Sequence, residues 1–124
     1  MTTTKILLAE DDLFLRDIYK ETLSDAGFSV TIATTGNETR AKFQQGGWDL
    51  VLLDDIMPGS TGVEVLQRFK QEERHTLAKK IIFLTNIDEP SELKKFDSLS
   101  DGHLVKNELT PAELIEKIKE FLTL

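Results

Sequence analysis

Residues 49–54, with the sequence DLVLLD, decide how this chain folds. Four apolar residues stand in succession between two aspartates, without the alternation of apolar and polar side chains that marks a half-exposed strand. A continuous apolar strand of this length is typical of a parallel sheet that is covered by helices on both faces. The stretch therefore predicts an α/β protein with a buried strand, and the strand ends in an acidic pair, Asp54 and Asp55.

Predicted strands and helices alternate on both sides of this stretch. Strands are predicted over 5–9, 28–33, 80–84 and 103–105, and helices over 13–26, 35–45, 62–71, 90–96 and from 111 onward. A Pro-Gly-Ser loop is predicted at 58–60. Such alternation gives parallel strands joined by right-handed crossovers. We therefore predict one domain over 1–124, a doubly wound, flavodoxin-like sheet of five strands in the order 2-1-3-4-5, with five helices on two faces.

Two helix ends carry clear local signals. Gly27 follows the first helix where a left-handed residue commonly ends one. The last helix is preceded by Thr110 as a cap and starts at Pro111, and Glu113 stands where it completes a capping box.

Composition excludes several classes of protein. The formal net charge is −7 and no basic stripe is present, which argues against direct nucleic-acid binding. The absence of cysteine excludes disulfides and thiolate metal sites. No run of eighteen apolar residues and no signal peptide are found, so we expect a cytoplasmic protein without membrane contact. We expect a monomer or weak dimer.

Acidic residues follow two strands that the predicted sheet order makes neighbours. Glu10, Asp11 and Asp12 come after the first strand, and Asp54 and Asp55 come after the third. Neighbouring strands lie about 4.8 Å apart, so these carboxylates converge at the topological switch point. Such a cluster requires protonation or a cation, and oxygen ligands suit Mg²⁺. Taken singly, Asp12 is best interpreted as a helix cap and Asp55 as a solvent-facing loop residue.

Two other strand ends reach the same rim of the sheet. Thr85 ends the fourth strand and Lys106 ends the fifth. A lysine directly after an apolar strand needs a partner if its ammonium is buried, and Asp54 is the natural one. The simpler alternatives are that Thr85 caps a turn and that Lys106 is an ordinary surface residue.

At this point the sequence closely resembles the receiver domain of bacterial two-component response regulators, over essentially the whole chain. The residues that carry the resemblance, in this order, are ILLAEDD at 6–12, DLVLLD at 49–54, Met57-Pro58, Gly62, FLT at 83–85 and LVK at 104–106.

The resemblance implies a role for Asp54. Pro58 lies four residues after it and Gly62 eight residues after it, as they do after the phosphoacceptor of the family. Asp55 does not fit that register. By the same resemblance, Thr85 is the hydroxyl that turns toward the phosphoryl oxygen.

The remaining implied roles concern cations. Lys106 resembles the family lysine that pairs with the phosphoryl group. Glu10 and Asp11 resemble the acidic pair that holds Mg²⁺, with Asp11 as a direct ligand and Glu10 acting through water. Asp54 and the backbone carbonyl of Ile56 complete the implied ligand set.

The implied function is phosphorylation-dependent signalling. A histidine kinase or histidine phosphotransfer protein donates a phosphoryl group to Asp54 in a Mg²⁺-dependent reaction, and Thr85 then changes the face made by the fourth helix, fifth strand and fifth helix, which controls an effector protein or output domain. The chain would catalyse its own phosphorylation and slow dephosphorylation without being a turnover enzyme. The alternatives are a pseudo-receiver used only for protein contacts, an aspartate-nucleophile phosphatase of the haloacid dehalogenase type, and a flavodoxin-like nucleotide binder.

Three residues depart from the family pattern. Asn107 stands where proline, commonly cis, is usual, so we predict a trans Lys106–Asn107 bond. His103 replaces the switch aromatic, and it is either a pH-sensitive switch residue or an ordinary half-buried strand residue. Asn86 replaces a small residue and is expected to narrow access to the site.

Two apolar residues bear on the lifetime of the phosphorylated state. Ile56 and Ile87 stand where some relatives carry polar residues that assist the hydrolytic water. Apolar side chains cannot orient that water, so the resemblance implies a slowly decaying acyl phosphate.

Overall fold

The computed structural model describes residues 3–72 and 77–123. In chain order the elements are β1 (Lys5–Ala9), α1 (Leu13–Asp25), β2 (Ser29–Ala33), α2 (Gly36–Phe43), β3 (Trp48–Asp54), β4 (Ile56–Met57), β5 (Ser60–Thr61), α3 (Gly62–Gln71), β6 (Ala78–Thr85), α4 (Pro90–Leu99), β7 (Gly102–Val105), a 3₁₀ turn (Lys106–Glu108) and α5 (Pro111–Thr123).

Five of the strands form the sheet that the sequence predicts. Their order is β2-β1-β3-β6-β7 and every pairing is parallel. Counted within the sheet, β6 and β7 are the fourth and fifth strands, so the predicted order 2-1-3-4-5 is confirmed. Because all five strands run the same way, their carboxyl ends meet at one rim. No described helix is long and apolar enough to span a bilayer.

The central strand β3 feeds two separate cores, as its uninterrupted apolar sequence predicts. Leu50 and Leu52 pack on one face with residues of α1 and α5. Val51 and Leu53 pack on the other face with residues of α2, α3 and α4. Each of the four is at most 2 % exposed, so β3 is covered on both sides.

The expected loop after β3 is instead a small hairpin. β4 and β5 pair antiparallel through Ile56 with Thr61 and Met57 with Ser60. Pro58 and Gly59 form the tip, and Gly59 takes a positive φ of 87°. The loop prediction was therefore wrong at its edges, because two-residue strands produce no periodic pattern in a sequence.

Two elements near the site are longer than the sequence indicates. α4 was predicted to end at Phe96 but continues to Leu99. Its polar surface hides a narrow apolar stripe: Phe96 is 2 % exposed and lies 4.8 Å from the ring of Phe83, and Leu93 and Leu99 pack on the same core. β6 extends from Ala78 to Thr85 rather than over 80–84, because it pairs along β3 from Trp48 onward.

Helix starts are fixed largely by side-chain caps. Asp12 caps α1 by accepting from the Leu15 N–H at 3.0 Å, as interpreted from the sequence. Before α5, the Thr110 hydroxyl accepts from the Glu113 N–H at 3.2 Å and donates to the Glu113 carboxylate at 3.0 Å. A reciprocal capping box stands instead at α3, between Thr61 and Glu64.

Other helix ends also follow local chemistry. α2 begins one residue after its predicted start because Thr35 is its cap, and its hydroxyl accepts from the Glu38 N–H at 3.1 Å. Gly27 follows α1 with a φ of 95°, as its predicted role at the helix end requires.

Candidate functional site

Four polar side chains meet at the carboxyl rim of the sheet, each supplied by a different strand. Glu10 follows β1, Asp54 ends β3, Thr85 ends β6 and Lys106 follows β7. Glu10, Asp54 and Thr85 are at most 3 % exposed. Such burial is rare for the two carboxylates unless they are paired. The parallel sheet therefore brings together the residues that the sequence placed at its strand ends.

Lys106 forms ion pairs with two buried carboxylates at once. Its Nζ lies 3.0 Å from Asp54 Oδ1 and 3.1 Å from Glu10 Oε2. The pairing with Asp54 follows the expectation that a buried lysine needs an acidic partner. The contact with Glu10 was not foreseen, because the sequence does not show that the lysine side chain extends across the rim as far as the end of β1.

A third carboxylate completes an acidic cluster. One oxygen each from Glu10, Asp11 and Asp54 lie within 4.8 Å of one another, and Asp11 is exposed at the mouth. Hard carboxylate oxygens on an open, water-accessible edge are the donors that Mg²⁺ takes, and three carboxylates outnumber the single lysine. The donor set therefore fits a magnesium ion.

The cluster opens into a cleft of about 290 Å³. Asp12, Asp55, Ile56, Asn86 and Ile87 also line it. Ile56 is 69 % exposed, and its backbone N–H donates to Asp54 Oδ1 at 3.4 Å. Ile56 lies in β4 and lines the cleft, and the role of its backbone carbonyl as a ligand stays a prediction.

The pKa values of Asp54 and Lys106 are both raised. Burial and the neighbouring Glu10 raise the pKa of Asp54 to about 7, although Lys106 works against that rise. Burial works to lower the pKa of Lys106, but Asp54 and Glu10 outweigh it, so the pKa of Lys106 is raised. Lys106 therefore stays charged at neutral pH, whereas Asp54 accepts a proton easily when no other cation is present.

Thr85 is bound to the loop that follows it. Its Oγ1 accepts from the Ile87 N–H at 3.0 Å, and its side chain lines the cleft. The hydroxyl therefore organises the start of the β6–α4 loop in this state. This contact fits the simpler alternative, in which Thr85 caps a turn. Its position on the rim also suits the predicted role in sensing the phosphoryl group.

Asp55 is held by its backbone beneath the hairpin. Its N–H donates to the Leu84 carbonyl at 3.0 Å, and its carbonyl accepts from the Gly62 N–H at 2.7 Å. Burial raises the pKa of its carboxyl group. Asp55 lines the cleft rather than facing solvent freely, so the loop-residue interpretation was too simple, but Asp54 is the acid that Lys106 contacts.

Gly62 allows α3 to start directly against the backbone of Asp54. A Cβ at this position would overlap the carbonyl oxygen of Asp54 and would come within 3.2 Å of the Leu53 side chain. The close approach of the two backbones requires glycine here. This explains in physical terms why glycine stands eight residues after Asp54.

Two departures from the family pattern, His103 and Asn107, lie on β7 and just after it, and the third, Asn86, follows β6 and lines the cleft. The described residues contain no cis peptide bond, so the predicted trans Lys106–Asn107 bond is confirmed. His103 is half-buried in β7, and its Nδ1 lies 2.7 Å from Asp97 Oδ1 of α4. This pair connects strand and helix on the face that was predicted to switch. Its role in switching stays a prediction.

Tyr19 is a buried neighbour of the site that sequence reasoning missed. It lies on α1 and is 4 % exposed. Burial and the charge of Glu10 raise the pKa of its phenol. Only its place on the apolar stripe of α1 could have indicated that it lies beneath the site.

Comparison with known proteins places these features in a family. Residues 6–119 match the response regulator receiver domain. Among curated relatives, the transcriptional regulatory protein ResD of Bacillus subtilis is 31 % identical over 120 residues, which are 96 % of this chain and 48 % of that protein. The phosphate regulon regulator PhoB of Rhizobium meliloti is 33 % identical over 95 % of this chain and 52 % of that protein. The chain thus spans about half the length of these relatives.

Solved structures agree with this assignment. The chemotaxis response regulator CheY4 of Vibrio cholerae has a TM-score of 0.87 and 28 % identity, with 97 % of this chain and 99 % of that chain covered. The response regulator TrrA of Thermotoga maritima, solved in complex with Mg²⁺-BeF, has a TM-score of 0.80 and 33 % identity, with 96 % and 99 % covered. With its fold, its rim of acids and its lysine, the chain belongs to the response regulator receiver domain family.

Proposed function

We propose that this receiver accepts a phosphoryl group on Asp54 from a phosphohistidine of a histidine kinase or phosphotransfer protein. The observation that carries the proposal is the position of Asp54: it is buried at the floor of an open cleft, 3.0 Å from the Lys106 ammonium and beside two further carboxylates. A carboxylate in this setting is accessible to a phosphoryl donor and has a fixed cation beside it.

The reaction is an in-line displacement at phosphorus. An Asp54 oxygen forms the new P–O bond while the P–N bond to the donor imidazole breaks and its electron pair leaves with the nitrogen. Lys106 holds the carboxylate in position and stabilises charge on the transferring oxygens. The product is an acyl phosphate on Asp54, which water later hydrolyses. The chain acts on itself and is not a turnover enzyme.

A magnesium ion suits the cleft. Asp11 and Asp54 would hold it directly, Glu10 would act through water, and the Ile56 carbonyl would complete the protein ligands. When bound, Mg²⁺ supplies positive charge that neutralises the phosphoryl oxygens. TrrA, solved with Mg²⁺-BeF, supports this assignment by likeness.

The signal passes from Thr85 to the face made by α4, β7 and α5. A phosphoryl oxygen on Asp54 would accept from the Thr85 O–H. Rotation of Thr85 toward it would break the 3.0 Å contact in which Thr85 Oγ1 accepts from the Ile87 N–H, and so would free the loop before α4. The α4–β7–α5 face, which contains the His103–Asp97 pair, then shifts in population toward a second arrangement. An effector protein or output domain reads this face.

The proposed setting of the protein follows from charge and family. The net charge of −7 suits protein partners rather than direct contact with nucleic acid. We place the receiver in the cytoplasm, as a monomer or weak dimer, where a kinase and an effector can both reach it.

The decisive experiment is phosphorylation with a small donor. Incubation with Mg²⁺ and acetyl phosphate should add the mass of one phosphoryl group, and Asp54→Ala should abolish the gain. Asp55→Ala is the matched control and should keep it. If the folded wild-type protein gains no mass under these conditions and none from a histidine phosphotransfer protein, the chain is a pseudo-receiver that acts through protein contacts alone.

A further inference from the structure

A second polar cavity lies between α2 and α3, outside the phosphorylation site. Its volume is about 280 Å³. The polar residues around it are Arg40 from α2, Ser60 from β5, and Glu64, Gln67, Arg68 and Gln71 from α3. None of these residues lines the cleft of Asp54.

Arg40 is incompletely bonded in this cavity. Its Nε is buried, and within residues 3–72 and 77–123 it is the one buried side-chain nitrogen or oxygen that has no hydrogen-bond partner. Arg40 also forms no ion pair with any described residue. A buried donor left unbonded is unfavourable, so an acceptor that approached the Arg40 guanidinium closely enough to bond its Nε would stabilise it.

The cavity contains a second guanidinium group, Arg68, and its serine and glutamine side chains can donate as well as accept. Arg68 forms no ion pair within the part of the chain that the structure describes, and the Ser60 hydroxyl and the Gln67 amide make no described hydrogen bond. The one acid is Glu64, whose Oε1 accepts from the Thr61 hydroxyl at 3.1 Å and so is directed toward the helix cap. The cavity therefore offers two guanidinium groups to which no described carboxylate is paired.

We propose that this cavity binds a small oxyanion, a phosphate or a carboxylate group, between Arg40 and Arg68. Guanidinium groups pair with such anions through parallel N–H···O bonds, and the two positive charges exclude a metal cation. The bound group also meets the hairpin, because Ser60 packs against Gly36 at the start of α2 and the Gly36 N–H donates to the Pro58 carbonyl at 3.2 Å. Occupancy therefore ties α2 to the hairpin that follows Asp54.

NMR titration tests the proposal directly. Inorganic phosphate is added to ¹⁵N-labelled protein without Mg²⁺ at constant ionic strength, and acetate is added in a parallel series. We expect a saturable shift of the Arg40 Nε–H signal and of the Ser60 amide. Tighter binding of phosphate identifies a phosphate site, and equal or tighter binding of acetate identifies a carboxylate site.

Charge-matched variants provide the control. Arg40→Gln and Arg68→Gln should each weaken the affinity measured at the Ser60 amide by about tenfold, since each removes a charged hydrogen-bonding group. Lys42→Gln and Lys70→Gln remove the same charge from the same helices but outside this cavity, and they should leave the affinity unchanged. Shifts that never saturate, or that fall equally in all four variants, would overturn the proposal. Arg68→Gln keeps the test valid if Arg40→Gln fails to fold.

Discussion

Burial and charge act against each other at Asp54. The carboxyl group is nearly inaccessible and lies beside Glu10, and both facts disfavour its ionised form. Lys106 compensates only in part, so the pKa of Asp54 is raised to about 7. The proposed nucleophile is therefore protonated more readily than an ordinary aspartate, and a second cation beside it would favour its ionised form.

This imbalance predicts a pH-dependent stability. Because the folded pKa of Asp54 lies above its unfolded value, the protonated group stabilises the fold fully below about pH 4, and that contribution is lost as pH rises through about 7. Asp54→Asn does not titrate. Without Mg²⁺, the free energy of unfolding of the wild type should fall between pH 5 and 8. Relative to the wild type, that of Asp54→Asn should rise over this range by on the order of 1 kcal/mol or more.

Urea unfolding at pH 5, 6.5 and 8 measures this difference. Asp88→Asn, at an exposed position in the loop before α4, is the control and should follow the wild-type profile. Parallel profiles for the wild type and Asp54→Asn would show that Asp54 has an ordinary pKa.

The apolar residues at the cleft predict a long-lived phosphorylated state. Ile56 and Ile87 line the cleft and cannot orient an attacking water. The acyl phosphate should therefore last minutes or longer, and Ile56→Asn together with Ile87→Gln should shorten its lifetime roughly tenfold or more. Phosphate-affinity gels follow the decay. Leu13→Asn, an exposed apolar position outside the cleft, should have no effect, and decay of the wild type within seconds would refute the idea.

At the scale of elements, α3 determines where the acceptor sits. Its first residue, Gly62, lies directly against the Asp54 backbone, and its start is fixed by the Thr61–Glu64 capping box. Both features concern the same helix end, but only the first touches the acceptor. They can therefore be separated by mutation.

Gly62→Ala should disturb both stability and function. The added Cβ would overlap the Asp54 carbonyl oxygen, so the acceptor must shift, at a cost of about 1–3 kcal/mol. Thr61→Ala removes the cap and should cost about 1 kcal/mol without moving Asp54. Chemical unfolding and the rate of phosphorylation by acetyl phosphate are measured for both. Equal phosphorylation rates in the two variants would contradict the proposed contact.

At the scale of the molecule, we expect cation binding and folding to be coupled. Strand order alone brings Glu10, Asp11 and Asp54 together, so the cluster forms only in the folded chain. Mg²⁺ should therefore stabilise the fold, by about 2.7 kcal/mol at one hundred times its dissociation constant.

Thermal unfolding with and without Mg²⁺ checks this coupling. Asp11→Asn should reduce the stabilisation. Asp12→Asn is the adjacent control: it retains a capping side chain and should keep the response. A response that is the same in the wild type and Asp11→Asn would place the ion elsewhere.

The sequence by itself determined the α/β class and the polar residues at the strand ends, whereas the strand order was predicted as the common one for five alternating strands. The sequence also determined the bounds of α3, which were predicted and observed at residues 62–71. Apolar runs, helix caps and strand ends depend on residues that are neighbours in the sequence. The parallel sheet then brings the strand ends together. Similarity to the receiver family added the roles of Asp54, Thr85 and Lys106.

The tertiary structure alone decided how far each side chain reaches. Lys106 contacts both Asp54 and Glu10 because its side chain extends along the rim. α4 continues to Leu99 because its few apolar residues pack against Phe83 and the core beneath it. Among the described residues, the Arg40 Nε has no hydrogen-bond partner, because α2 and α3 enclose it without supplying an acceptor. Such distances depend on packing between segments remote in sequence, which no local pattern encodes.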